Sequence, residues 1–402
     1  MSTTQQAVTA SIAYAAESTF GVAALPATGK AMRRVSSTLA ISKDTFKSAE
    51  VRADQQVSDM RHGLHKVGGT ISAELSTQSF DDLLAALCRS SWQAGITASQ
   101  TDFTGVTASA ASSKFTNASG SWITKGFKVG DVVRFTGLTP DGNNNKNFRI
   151  LSMTAADIAV FPAPLDMVSQ ANFTITVVGK KLLIGTDQPS FTVEQNYTDV
   201  DVSELFTGMR VDKGQFKLPV NGMATIDIDF VGQDGKVLTG GSAPYFPNPT
   251  AAPNTGILAG PSGSIDIGGT SQGVVTACDF MIAHSCSAPA VVGSVISPNI
   301  FYGRTEISGT IAAYLQDASL LNAFLMESEI DIVVQLDAAP PADGSAPDFL
   351  CFGFHRVKFT GATKTLAGDG GVIVTLPFES LLANATNGND ASSVVIQRSN
   401  AA

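Results

Sequence analysis

Apolar and polar residues alternate strictly in two similar stretches that lie far apart in the chain. In Gly69-Thr-Ile-Ser-Ala-Glu-Leu75, residues Ile71, Ala73 and Leu75 share one side; in Gly309-Thr-Ile-Ala-Ala-Tyr-Leu315, so do Ile311, Ala313 and Leu315. A period of two marks a half-buried strand. Each copy then enters a stretch with helical apolar spacing. The first is Phe80-Asp-Asp-Leu-Leu-Ala-Ala-Leu-Cys88, with Ser79 placed to cap it, and the second is Ser319-Leu-Leu-Asn-Ala-Phe-Leu-Met326. Further along, both copies predict a hairpin. Gly208-Met-Arg-Val-Asp212 leads through Asn221-Gly222 to Met223-Ala-Thr-Ile-Asp-Ile-Asp-Phe230. His355-Arg-Val-Lys358 leads through Gly368-Asp369-Gly370-Gly371 to Val372-Ile-Val-Thr-Leu-Pro-Phe378. Asn-Gly and Asp-Gly supply the positive φ angles of tight hairpin turns. The pattern is therefore an internal repeat of strand, helix and hairpin.

A Ser-, Thr-, Asn- and Gly-rich region interrupts the first copy between its helix and its hairpin. A turn at Val129-Gly-Asp131 precedes a strand over 132–135, and further strands fall at 147–153 and 172–178. This predicts a small β-barrel or sandwich inserted at a loop, which survives when its two ends emerge together. The organisation expected is a first unit over 1–94 and 182–238, an inserted β domain over 95–181, a Gly/Pro/Asn-rich linker over 239–254 and a second unit over 255–402. The fold class expected is all-β with short flanking helices.

Composition sharpens this picture. The chain has 402 residues, enough for two or three domains; 44% are hydrophobic and only 15% charged, with 37 glycines, as in a turn-rich β protein. The formal net charge is −9. The basic residues form no patch beyond the pairs Arg33-Arg34 and Lys180-Lys181, which argues against a protein that grips nucleic acid by its phosphates. Cys88, Cys278, Cys286 and Cys351 form no CxxC pair and sit among apolar neighbours, as buried free thiols do. The first residues lack the basic and apolar regions of a signal peptide, and no apolar run has the length of a membrane span. Asn-x-Ser/Thr sequons at Asn117, Asn172, Asn196 and Asn384 carry no weight in a Thr-rich chain.

Candidate chemistry is sparse. His62 and His65 have metal-pair spacing without nearby cysteines, in what reads as a loop. His284-Ser285-Cys286 sets nucleophile types beside an imidazole, but neighbours in a strand point to opposite faces. Asp141-Gly-Asn-Asn-Asn145 matches a Ca²⁺ loop in composition alone and reads as a turn. Asp81-Asp82 reads as a charge pair at a helix start rather than an acid pair of a glycosidase. No catalytic, cofactor or metal site is expected, and the reading is not an enzyme.

The order of motifs resembles the tail tube proteins of long-tailed, siphovirus-type bacteriophages. Glu17-Ser-Thr-Phe-Gly21 is similar to their amino-terminal signature. Residues 48–59, Gly63, 67–75 and 80–84 resemble their opening. In the second half Ser262-Gly-Ser-Ile-Asp-Ile267, Val292-Gly-Ser294, Gly303, Glu306-Ile-Ser-Gly-Thr310 and 370–378 follow in the same order. Residues 120–131 resemble small domains common in phage tails. The resemblance implies a tube β-sandwich with a flanking helix, polymerising as stacked rings that form the conduit for DNA ejection. A chain with two copies implies a trimeric ring of pseudo-sixfold symmetry, with the insertion outside. It further implies, as partners, further copies of the chain, a tape measure protein, a tail terminator and distal tail proteins. DNA would pass through without sticking; no membrane and no cofactor are implied. Assembly would take place in the host cytoplasm and the product would be the virion tail. The irregular first 30 residues are expected to form an arm that orders against a neighbour.

Alternation then selects the channel-facing residues. Thr225, Asp227 and Asp229 oppose Ile226, Ile228 and Phe230, while Thr70, Ser72 and Glu74 oppose Ile71, Ala73 and Leu75. These six are expected to line the lumen, where carboxylates repel phosphates. The competing readings are an ordinary solvated face, a β-rich surface adhesin or sugar-binding protein, a β-fold enzyme, or a low-copy tail completion or baseplate component.

Overall fold

The structure, a computed structural model, describes residues 4–139, 141–271, 274–365, 370–385 and 388–399. Strands dominate it, and the α-helices among the described residues are short: α1 Asp81–Cys88, α2 Trp122–Lys125 and α3 Ser319–Leu325. The strands that matter most are β1 Ala40–Lys47, β2 Met60–Glu74, β3 Val202–Pro219, β4 Thr225–Gly232, β5 Val275–Ala283, β6 Glu306–Tyr314, β7 Phe349–Phe359, β8 Thr363–Thr365 and β9 Ile373–Ser380. They pair antiparallel in the order β1–β2–β4–β3–β5–β6–β9, and the end of β7 followed by β8 lies along the far side of β9.

The two repeated stretches occupy β2 and β6, and their surroundings match in register. Gly69 lies opposite Phe230 and Gly309 opposite Phe378; Ile71 faces Ile228 and Ile311 faces Leu376; Ala73 faces Ile226 and Ala313 faces Val374. One extra residue shifts β3 against β4 between Val211 and Lys213. The same shift occurs between Phe359 at the end of β7 and Thr363 in β8, which lie opposite Phe378 and Thr375. A bulge of this kind bends the strand at a fixed place.

Upstream of that bend, β3 and β7 enter a second layer. There β3 pairs with Phe191–Tyr197 and Asp234–Thr239, while β7 pairs with Ile330–Asp337 and Val395–Arg398. Ile71, Leu75, Phe216, Phe280, Ile332 and Phe352 are buried in one core with Leu83, Leu84 and Leu87 of α1. Phe216 and Phe280 stack at 4.8 Å across the β3–β5 seam, and Phe352 lies 4.9 Å from each.

Several local expectations change. Ser79 does not cap α1: Phe80 holds that position, and the Ser79 hydroxyl bonds Ser76 at 2.8 Å. The β3–β4 hairpin forms, but neither Asn221 nor Gly222 has a positive φ. Its connection is spread over residues 220–224 because Ala224 is held in pairings with Leu75 and Leu258. The turn expected at Gly368-Asp369 lies outside the described residues. The amino-terminal segment supplies strand Ser11–Ala16, paired with Phe191–Tyr197, rather than a free arm. In its signature, Glu17 accepts hydrogen bonds from Ser190, Thr192 and the Gly208 amide.

Residues 97–177 build a separate antiparallel sheet of eight strands, in the order Met167–Gln170, Val106–Ser109, Lys114–Thr116, Asp157–Phe161, Phe148–Met153, Val132–Thr136, Thr174–Val177 and Thr97–Ser99. Its own core holds Trp122, Phe103, Phe115, Phe127, Phe135 and Phe148. The chain enters and leaves this sheet side by side, Gln93–Ala94 pairing with Lys180–Lys181. The sheet docks on the second unit. Val132 and Val178 pack with Val333, Phe349 and Cys351, on the side of the second layer away from the main core. Arg149 and Asp266 form an ion pair of 2.5 Å there with 1% and 2% of their side chains exposed, and Arg149 also reaches Ser264 and Gln335. Lys181 binds Asp131 and Asp390, and Gln397 bonds the backbone of Val132 and Val178. Gly130, in a turn with φ of +85°, lets the His355 ring approach.

Candidate functional site

Pleating puts the core on one side of the β1–β9 sheet and a polar face on the other. Along β4 every second residue is buried, and Thr225, Asp227 and Asp229 are the half-exposed ones; Thr70, Ser72 and Glu74 alternate likewise in β2. Register brings the six together. Glu74 lies opposite Thr225, Ser72 opposite Asp227 and Thr70 opposite Asp229. The rows continue across the seam: Lys217 of β3 faces Asp279 of β5, Gln215 faces Met281, and Lys213 faces Ala283, with Glu306 of β6 beyond it. The row that passes through Met281 and Ser308 continues through Glu379 of β9 to Lys358 of β7.

Two of the three carboxylates of the first unit are paired, and Glu74 is in no ion pair among the described residues. Lys217 lies 2.8 Å from Asp227 and Lys213 lies 2.8 Å from Asp229, while the Thr70 hydroxyl donates to Asp229. Partial burial pushes the Asp227 carboxyl up, but hydrogen bonds from Lys217 and Ser72 outweigh it and hold the group below its ordinary value. The Lys217 ammonium is held above its ordinary value, chiefly by the hydrogen bond to Asp227. Alternation in the sequence could not show this, because the lysines come from another strand. On the second unit Asp279, Glu306 and Glu379 form no ion pair among the described residues. Carboxylates outside any ion pair therefore outnumber paired ones only on that half of the face.

The remaining candidates are structural. His62 and His65 lie in β2 rather than a loop, three residues apart and so on opposite faces, and His65 pairs with Asp234 at 2.9 Å. Among the described residues no cluster of ligand side chains could hold a metal. His284 is buried between the Leu87 carbonyl and Thr305. Burial and Asp212 push the Cys286 thiol far up, away from thiolate chemistry. Asn143 and Asn144 bond Leu165 and Leu138, which ties the 141–145 segment into its own sheet. Asp81 pairs with Arg398 at 2.6 Å and Asp82 with Lys30 at 2.5 Å. All four cysteines are free, and no helix among the described residues is long and apolar enough to cross a membrane.

No curated protein matches the chain. The family model for phage tail tube proteins, however, matches residues 7–380. That span takes in both copies of the repeat, the polar face and the inserted sheet. An all-β protein with a long, one-sided polar sheet suits a structural part of a phage tail, and the chain belongs to the phage tail tube protein family.

Proposed function

We propose that the chain closes into rings whose polar face lines the channel, and that these rings stack into the tube of a siphovirus-type tail. One observation carries the reading. The β1–β9 sheet is apolar on one side and polar on the other, and among the described residues the outer sides of β1 and β8 pair with no strand. Exposed edges template pairing with another chain, and closure removes them. The matched registers of the two units support a duplicated tube unit: residues 1–94 and 182–238, then 255–402, joined through 239–254. Three chains then make a ring of pseudo-sixfold symmetry.

The inserted domain, 95–181, decorates the outside. In support, it packs on the second layer, on the side of the core opposite the polar face. Stacked rings meet a tape measure protein inside and a terminator and distal tail proteins at the ends. They assemble in the host cytoplasm, and DNA slides past without binding.

Electron microscopy of the purified polymer tests this. Rings with three strong and three weak lobes are expected; six identical full-length subunits would remove the pseudo-hexamer, and persistent monomers would remove the ring. The channel role is tested by Asp227→Lys with Asp229→Lys. These leave Lys213 and Lys217 unpaired beside two added cations and should slow genome ejection. Ejection at the normal rate would take these residues out of the lumen.

A further inference from the structure

We propose that neighbouring copies join edge to edge in the register of the chain's own internal seam. Thr363 of one copy then lies opposite Ala40 of the next, with Lys364 opposite Leu39 and Gly361 opposite Ser42. This rests on the ring reading and specifies its contact.

The register follows from the repeat. At the internal seam Gln215 of β3 pairs with Met281 of β5. Gln215 lies opposite Asp227, which faces Ser72; Thr363 lies opposite Thr375, which faces Ala312. Ser72 and Ala312 hold the same place in the repeated stretch, so Thr363 stands where Gln215 does. On the other strand Met281 faces Ser308 and Ala40 faces Gly68, each just before the repeated glycine. Ala40 thus stands where Met281 does. The same mapping takes Lys213 and Ala283 to Gly361 and Ser42.

The free edges suit this use. Ala40, Ser42, Thr363 and Lys364 are exposed, and β8 and β1 each have one side unpaired among the described residues. The seam between copies also differs in strength from the internal one. Where Phe216 stacks on Phe280 inside the chain, Lys364 meets Leu39. A lysine at an edge discourages promiscuous pairing, and the missing aromatic stack leaves the joint between copies the weaker of the two.

The test is oxidation of polymerised full-length Thr363→Cys/Ala40→Cys, followed by denaturing, non-reducing electrophoresis. Covalent oligomers are expected from this pair, and none from either single variant. The shifted pair Thr363→Cys/Ser42→Cys, on the same face but two residues out of register, should link far less. Efficient linking of the shifted pair, or tubes that link with neither pair, would overturn the register and leave the ring reading standing. Wild-type protein that forms no ring or tube would overturn both. Should the double variant fail to assemble, hydrogen exchange on the wild type decides: amides of 38–42 and 361–365 should slow by about tenfold or more on assembly. Unchanged exchange there in formed tubes would sink the proposal.

Discussion

The helices α1 and α3 follow the same repeated strand and yet live in different surroundings. Leu83, Leu84, Ala86, Leu87 and Cys88 of α1 are buried, whereas α3 has no buried residue and Leu325 stays 73% exposed. The polar faces differ in the same way, with Asp227 and Asp229 paired on the first unit and Asp279, Glu306 and Glu379 in no ion pair among the described residues on the second. Strand register survives in both because backbone hydrogen bonds and inward side chains fix it. What lies outside the sheet is free to diverge, so it reports what each unit meets. The first unit is covered by its own chain, through strand Ser11–Ala16 and Trp92. The second unit accepts the inserted sheet on one side and leaves α3 uncovered on another.

The largest test of this contrast lies at the docked sheet. Asp266 stands in the second unit where the first has Ala13, so the ion pair with Arg149 has no counterpart there. Arg149→Met strands a buried carboxylate and should cost about 3–5 kcal/mol, read by denaturant unfolding; a cost below about 1 kcal/mol would mean that the sheet rests only loosely on the second unit.

The helices come next. Leu84→Ala should cost about 2–5 kcal/mol, whereas Leu325→Ala should fall within about 0.5 kcal/mol in the unassembled protein. Equal costs would erase the contrast between the two units.

His355 stands where the first unit has Thr207, and burial lowers its pKa from 6.5 to about 4. The unfolded chain therefore binds the proton first. Stability is lost as pH falls from about 6.5 towards 4, by an amount on the order of 3 kcal/mol. His355→Gln should flatten the pH dependence of Tm in that window, and an unchanged slope would refute the assignment.

The smallest effect belongs to the polar face. Asp227→Asn removes a half-exposed pair and should cost about 0.5–1 kcal/mol. Asp279→Asn removes only the longer-range attraction to Lys217 and should cost less than about 0.5 kcal/mol. Urea midpoints of the two variants compare them directly, and equal losses would show that the face carries no asymmetry.

The alternation of residues 69–75 and 309–315 was enough to predict the repeated strands, which face of each is buried (except at Leu315, which falls just past β6 and is exposed), and the polar rows of Thr70, Ser72, Glu74, Thr225, Asp227 and Asp229. A pleated strand permits only two faces, so local pattern decides between them. The apolar spacing of 80–88 and 319–326 likewise predicts helices, though not that one is covered and the other bare. Sequence placed the inserted region within the first unit, but its exit strand Lys180–Leu183 pairs with Val395–Arg398 of the second, and Gln93–Ala94 pairs with that exit strand. Only the tertiary structure decided that it docks on the second unit, because Arg149 and Asp266, or Val132 and Phe349, lie far apart in the chain and have no local periodicity in common. The lysines that neutralise Asp227 and Asp229 escaped for the same reason: they come from β3, and only strand pairing brings them within reach. The tight turn expected at Asn221-Gly222 gave way to pairings of Ala224 with Leu75 and Leu258. A local preference of order 1 kcal/mol is readily overridden when such backbone bonds compete with it.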